Sequence, residues 1–135
     1  MLIYKDVITG DNLFSDQYPF KEVGDAVYEV SFTSVDGKNL VEEFNLQPTF
    51  FDKKSFLENF RSYGLVVSKY LEESNPDSVR PFQANSMAYV KEHLQNIKDF
   101  EFYTGPSGIL EGMVVMVPDE EVALFWKYGV QPSES

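Results

Sequence analysis

Between residues 52 and 97 the apolar side chains step by three or four positions, and on either side of that stretch they do not. Phe56, Phe60, Tyr63, Val67 and Tyr70 recur as one face of a helix does, because a helix turns by about 100° per residue. Thr49 or Asp52 can supply the side-chain oxygen that caps the first turn. Asn75-Pro76 stops the helix, since the residue before a proline is pushed out of helical dihedrals. A second helix follows, with Asp77 as its cap and Met87, Val90, Leu94 and Ile97 as its buried stripe. Pro81 falls early enough in it to be tolerated. Two helices joined by about four residues must fold back on each other. The chain therefore has to accommodate an antiparallel helical hairpin at about residues 52–97.

The flanks read as strands. Residues 2–8, 26–33 and 38–45 are rich in β-branched and aromatic side chains. Tyr28, Val30 and Phe32 alternate with Glu29 and Ser31, the period of a half-buried strand. Asp36-Gly37 lies between the second and third runs and suits a tight hairpin turn with positive φ. After the helices, residues 100–104, 112–117 and 122–128 read as three more strands, separated by Gly105-Pro-Ser-Gly108 and Pro118-Asp-Glu-Glu121. The last lacks clean alternation, as a strand buried on both faces would. The order strands, helical hairpin, strands makes an α+β domain whose sheet is completed by both ends of the chain. No repeat, low-complexity tract or linker divides it, so residues 1–135 are read as a single domain.

Composition narrows what such a domain can do. A chain of 135 residues buries roughly two-thirds of its unfolded surface, enough for an ordinary core without staples. It has no cysteine, which excludes disulfides, thiolate zinc sites and cysteine catalysis. No apolar run approaches the roughly 20 residues that a bilayer requires. Met1-Leu-Ile-Tyr-Lys-Asp lacks the basic start and long apolar stretch of a secretory signal, so the reading is a cytosolic protein. With 22 acidic residues against 11 basic ones the net charge is −11, which argues against binding nucleic acid, where Lys and Arg must neutralise phosphates. The charge is uneven. Residues 1–48 carry nine acids and three bases, residues 49–98 six and seven, and residues 99–135 seven and one.

No catalytic or cofactor motif is present: there is no phosphate-cradling glycine loop, dinucleotide fingerprint or His-Glu-x-x-His. His93 has no second imidazole or thiol to complete a triad or a zinc site, and reads as a rim histidine. Asp6, Asp11 and Asp16 fall at five-residue spacing, with Asn12 and Ser15 as further oxygen donors. That set could ligate calcium, which takes six to eight oxygens, but it does not match the EF-hand template. The alternative is a solvated acidic loop that blunts a sheet edge, and Asp119-Glu120-Glu121 reads as a charged turn. Phe50, Phe51, Phe56, Phe60, Tyr63 and Tyr70 read as core rather than as a cofactor box. Lys53, Lys54, Arg61, Lys69 and Arg80 belong on the solvent side of the hairpin, either as a solvated face or as a docking surface for an acidic partner.

The residues resemble a known family. Met1-Leu-Ile-Tyr-Lys-Asp-Val-Ile, followed by Asp11 and Phe14-Ser15-Asp16, is similar to the opening of translationally controlled tumour protein, also called fortilin or histamine-releasing factor. Leu46-Gln47, Val79-Arg80-Pro81-Phe82, Phe100-Glu-Phe-Tyr-Thr-Gly105, Gly112-Met113-Val114 and Phe125-Trp-Lys-Tyr-Gly129 resemble that family's later landmarks in order and spacing. The resemblance implies a β-tent, a twisted assembly of mixed sheets with a projecting helical hairpin. It also implies binding roles rather than covalent chemistry: calcium, tubulin and microtubules, anti-apoptotic partners, and the small GTPase of growth signalling.

Read with the resemblance, the chain is expected to be a cytoplasmic, monomeric, non-enzymatic adaptor for other proteins. It would act without a required cofactor and without nucleic acid or membrane. Its GTPase surface would comprise Asp11, Asn12, Phe14, Ser15 and Asp16, its calcium ligands Asp6, Asp11 and Asp16, and its basic partner face Lys53, Lys54, Arg61, Lys69 and Arg80. The alternatives are a low-affinity calcium-binding protein or a secreted factor of the histamine-releasing type. Three departures stand out. The family's long acidic loop is missing, with Ser34-Val-Asp-Gly37 closing the turn directly. Asn12 stands where the family often has glutamate, and Pro106 follows Gly105 where glutamate is usual.

Overall fold

The computed structural model describes residues 1–134. The element order is β1 (Leu2–Asp6), β2 (Asn12–Ser15), β3 (Phe20–Val23), β4 (Val27–Ser31), α1 (Leu40–Phe44), β5 (Gln47–Thr49), α2 (Lys53–Ser74), α3 (Val79–His93), β6 (Glu101–Thr104), β7 (Val115–Val117), β8 (Val122–Trp126) and β9 (Val130–Glu134). Asp52 caps α2 by accepting from the Ser55 amide at 2.8 Å, while Ser55 Oγ accepts from the Asp52 amide at 3.0 Å. This reciprocal box satisfies two amides that a helix start leaves orphaned. Asn75-Pro76 ends the helix as expected, through a 3₁₀ turn at Pro76–Ser78.

Two sheets pack face to face. The smaller has the order β2-β1-β9, so β9 lies beside β1 and the two ends of the chain close it. The larger has the order β3-β4-β8-β7-β6-β5. Every pairing is antiparallel rather than mixed. β8 is buried on both faces, as its irregular alternation suggested. Phe125 turns toward the small sheet and lies 4.6 Å from Phe14, which stacks on Tyr4 at 4.5 Å. Trp126, one residue on, points the opposite way and packs at 5.4 Å on Phe60 of α2 and 6.0 Å on Tyr89 of α3. The large sheet thus has the helical hairpin on one face and the small sheet on the other. Full burial of each such aromatic contributes about 2–3 kcal/mol.

Several expectations need correction. Residues 38–45 form no strand. Asn39 Oδ1 accepts from the Glu42 amide at 3.0 Å and Asn45 sits at φ 52°, so a helix cap and a left-handed stop enclose α1. The Asp36-Gly37 turn exists, with Gly37 at φ 82°, but it joins a strand to a helix. The hairpin turn is Gly24-Asp25, where both residues have positive φ and the Ala26 amide reaches the Val23 carbonyl at 3.1 Å. Phe50 is 84% exposed and Met87 39%, and neither belongs to the core. Leu71 replaces Tyr70 in the buried stripe of α2, while Phe82, Ser86, Tyr89 and Val90 form that of α3. Ser78 rather than Asp77 precedes α3, without a side-chain cap.

The hairpin is fastened to the sheet at Asp25, whose carboxylate accepts from Asn85 Nδ2 of α3 at 2.9 Å, from Tyr128 Oη at 2.9 Å and from Lys127 Nζ at 2.5 Å. Lys127 also meets Glu22 at 2.9 Å. The lysine's hydrogen bond is the main reason the Asp25 carboxyl is held below its usual range.

Candidate functional site

The turn after β1 and the long connection from β6 to β7 meet at one end of the sheets. Asp6, at the end of β1, is 2% exposed. One of its carboxyl oxygens accepts from the Ile8 amide at 2.8 Å and the other from the Met113 amide at 2.8 Å. The turn is closed by the Gly10 amide on the Asp6 carbonyl at 2.8 Å and the Asp6 amide on the Asp11 carbonyl at 2.9 Å. Asp11 then accepts from Ser107 Oγ at 2.6 Å. A Cβ on Gly105 would run into the Asp11 side chain, so glycine permits this close approach. Asn59 Nδ2 of α2 donates to the Leu110 carbonyl at 3.1 Å. The first turn, the 105–112 connection and α2 are thereby held as one surface. Asn12 is exposed on it, Asp11 is half-buried, and Ile109, Leu110 and Val66 are 44%, 45% and 41% exposed.

Beneath this surface Tyr63 is buried, and its hydroxyl is the only buried side-chain polar atom without a hydrogen-bond partner among the described residues. Burial, reinforced by the charge of Asp6, pushes the phenol well above its ordinary value of 10.0. A Cβ on Gly129 would strike that hydroxyl.

The structure divides the residues expected to contact a GTPase. Asp11 and Asn12 lie on the surface and Asp16 is exposed at the far end of β2. Phe14 and Ser15 are 0% and 2% exposed and cannot touch a partner; Phe14 packs the two sheets together. The expected calcium set is not assembled either. Asp6 spends both oxygens on backbone amides, Asp11 is engaged by Ser107, and β2 separates them from Asp16. Among the described residues no group of three or more His, Asp or Glu side chains is placed to hold a metal ion. His93 donates from Nδ1 to the Tyr89 carbonyl at 3.0 Å and stacks on that tyrosine, a structural role.

Lys53, Lys54, Arg61, Lys69 and Arg80 are all exposed, and among the described residues none lies in an ion pair. At about 100° per residue, Lys54, Arg61 and Lys69 share one arc of α2. Leu65, 74% exposed, sits between them, and Glu58 and Glu72 share the arc. Lys53 lies off it and Arg80 is on α3. Ser107, Ile109 and Leu110 were not anticipated: their stretch reads only as a turn, and the one local hint was the clustering of Gly105, Gly108 and Gly112.

These features define an α+β protein of two antiparallel sheets with a projecting helical hairpin and a surface built from joined loops. The family model of translationally controlled tumour protein matches residues 1–39 and 31–131. The chain is 39% identical to the translationally-controlled tumor protein homolog of Candida albicans, with 99% of each chain covered. It is also 39% identical to that of Schizosaccharomyces pombe, over 87% of this chain and 86% of the relative. The solved translationally controlled tumor-associated protein p23fyp of S. pombe superposes with a TM-score of 0.85 at 36% identity, covering both chains fully. The solution structure from Caenorhabditis elegans, at 22% identity and a TM-score of 0.66, shares the fold. The chain belongs to the translationally controlled tumour protein family. The Candida alignment runs over 166 positions against 135 residues here, and the family model matches in two stretches that meet between residues 31 and 39. The relative therefore carries positions that have no counterpart here. Among the described residues no helix is long and apolar enough to cross a membrane.

Proposed function

We propose that this chain is a non-enzymatic adaptor whose principal contact surface is the joined pair of loops carrying Asp11, Asn12, Ser107, Ile109 and Leu110, and that a small GTPase of growth signalling is its partner. The observation that carries the reading is the 2.6 Å bond between Ser107 Oγ and Asp11. It holds two loops distant in sequence in one rigid arrangement, with exposed polar and aliphatic side chains beside it. A preorganised surface binds with less loss of conformational entropy than a mobile one. Asn12, next to Asp11 in sequence, is exposed and supplies an amide suited to reach into a nucleotide pocket. The test is a titration against a small GTPase of the same organism loaded with labelled GDP. Binding should occur at micromolar concentration and fall about tenfold, near 1.4 kcal/mol, in the Asp11→Ala variant. No complex at tens of micromolar, with unchanged GDP release, removes the reading.

A second reading rests on the unpaired cations of α2. Lys54, Arg61 and Lys69 around the exposed Leu65 suit an acidic tail such as those of tubulin, with affinity falling as salt rises. Reversing all three charges should abolish pelleting with microtubules, and unchanged pelleting refutes it.

A further inference from the structure

Beside the small sheet, the face of the large sheet turned away from the helical hairpin carries a groove. A hollow of about 560 Å³ runs between α1 and the end of β6, with Val41, Tyr103 and Val117 along its floor. A second hollow of about 590 Å³ meets it at Phe32, Thr33 and Glu120 and passes round the sheet to its hairpin side, where Lys21 and Glu29 stand. Phe32, Val41 and Tyr103 are half-buried, so the floor is apolar and open.

The rim of the first hollow has one sign of charge. Glu42, Asp99, Glu101, Asp119 and Glu120 border the first hollow, and no lysine or arginine does. The second adds Glu29, Glu121 and a single cation, Lys21, already 3.9 Å from Glu29. Asp119 is used locally, accepting from the Glu121 and Val122 amides at 2.8 and 3.2 Å. The other carboxylates of the first hollow have no cation within ion-pair distance among the described residues. They are spread along the groove rather than gathered, since no three of them are placed around one ion. A row of separated anions above an apolar floor complements a chain that carries separated cations, because lysine and arginine lay aliphatic stems on apolar surface while their heads reach the carboxylates.

A second, independent observation concerns access. Thr33 and Asn39 both line the first hollow, and they flank the Ser34–Lys38 turn, which lies where the two stretches matched by the family model overlap. Here that turn is closed tightly, with the Gly37 amide on the Ser34 carbonyl at 3.0 Å and the Ser34 amide on the Lys38 carbonyl at 2.9 Å. Closed in this way, the turn leaves no length of its own chain to extend over the groove.

We propose that this groove docks an extended basic segment of another protein, in which lysine or arginine alternates with aliphatic residues. The site is distinct from the Asp11–Ser107 surface. A fluorescein-labelled octapeptide alternating lysine and leucine is the probe, read by anisotropy at low salt. Micromolar binding is expected. The pair Glu101→Lys/Glu120→Lys should weaken it about tenfold or more, while Glu72→Lys/Glu73→Lys on α2, with the same change in net charge, should weaken it less than about twofold. Replacing the peptide's leucines by serine should also weaken it, since the floor is apolar. On the unmutated protein, amide shifts should cluster at Phe32, Tyr103, Val117 and Glu120, which keeps the test valid should the groove variant unfold. The proposal is overturned by equal weakening in both charge-reversal pairs, by shifts centred elsewhere, by no binding at millimolar peptide, or by a concentration-dependent dimer that fills the groove with α2 of a second copy.

Discussion

Asp6 and Asp25 each tie a turn to a remote part of the chain, by opposite means. Asp6 is 2% exposed and spends its oxygens on two backbone amides, one of them 107 residues away. Asp25 has a side chain 39% exposed and gathers a lysine, a phenol and a side-chain amide. The first junction holds the proposed GTPase surface and the second holds the helical hairpin to its sheet. Backbone amides sealed from water cannot be screened by salt and have no replacement partner if the acceptor is removed. Exposed charges can re-solvate and are screened within about 10 Å at 0.1 M salt. The two acidic residues should therefore respond very differently to substitution.

The largest effect is expected at Asp6. Asp6→Ala leaves the Met113 amide buried and the Ile8 amide partly buried without acceptors, at a cost of about 3 kcal/mol. Urea unfolding should show this loss equally at low and at 1 M salt. A loss under 1 kcal/mol would break the contrast with Asp25.

Gly129→Ala probes the same junction from the other side. The Gly129 carbonyl accepts from the Val7 amide at 2.9 Å, and the new methyl would meet the Tyr63 hydroxyl and the Met113 terminal methyl. Overpacking of this kind costs about 2 kcal/mol. Thermal unfolding of Gly129→Ala with and without Tyr63→Phe would show whether removing the hydroxyl restores most of the loss.

Asp25→Asn should cost about 1 kcal/mol, discounted for exposure, and roughly half of that should vanish at high salt. Its pH dependence has a definite sign. The carboxyl is lowered from its ordinary 3.8 in the folded state, so its contribution is fully present above pH 3.8 and is lost as the pH falls through the folded value. Lys127 is raised from 10.5, because its hydrogen bonds to Asp25 and Glu22 outweigh the opposing effect of burial. Its share is complete below pH 10.5 and lost on titrating above it. The difference between wild type and Asp25→Asn should accordingly be flat from about pH 5 to pH 10 and shrink below pH 3.8. A difference that grew in acid would assign the stabilisation to some other group.

How far these junctions could be read in the sequence follows from what each depends on. The helical hairpin was legible because a long amphipathic repeat and Asn75-Pro76 are local signals, and the burial of β8 showed in its broken alternation. Residues 40–44 misled because Val41 and Phe44 favour strands, whereas Asn39 as a cap and Asn45 as a left-handed stop decided for a helix. β2, β3 and β5 are three or four residues long, too short for alternation to stand out. The family resemblance located Phe14 and Ser15 but carried no information about burial. Nothing near Asp6 announces Met113, and nothing near Asp11 announces Ser107. Those pairings exist only once β1 and the β6–β7 connection are brought together.

The smallest expected effect sharpens the comparison most. Tyr63 lies at the Asp6 junction, where the carboxyl oxygens are occupied by amides and the phenol hydroxyl has no acceptor. A buried hydroxyl without a partner has lost its hydration and gained nothing in exchange. Tyr63→Phe keeps the ring, and with it the packing, and removes only that liability. It should raise stability by about 0.5 kcal/mol, visible as a higher urea midpoint at an unchanged denaturant slope. Because burial keeps the phenol well above 10.0, the gain should be the same at pH 6 and pH 9. A loss of 1 kcal/mol or more would mean that the hydroxyl donates within the junction, and that Asp6 is then held by more than the backbone amides that set it apart from Asp25.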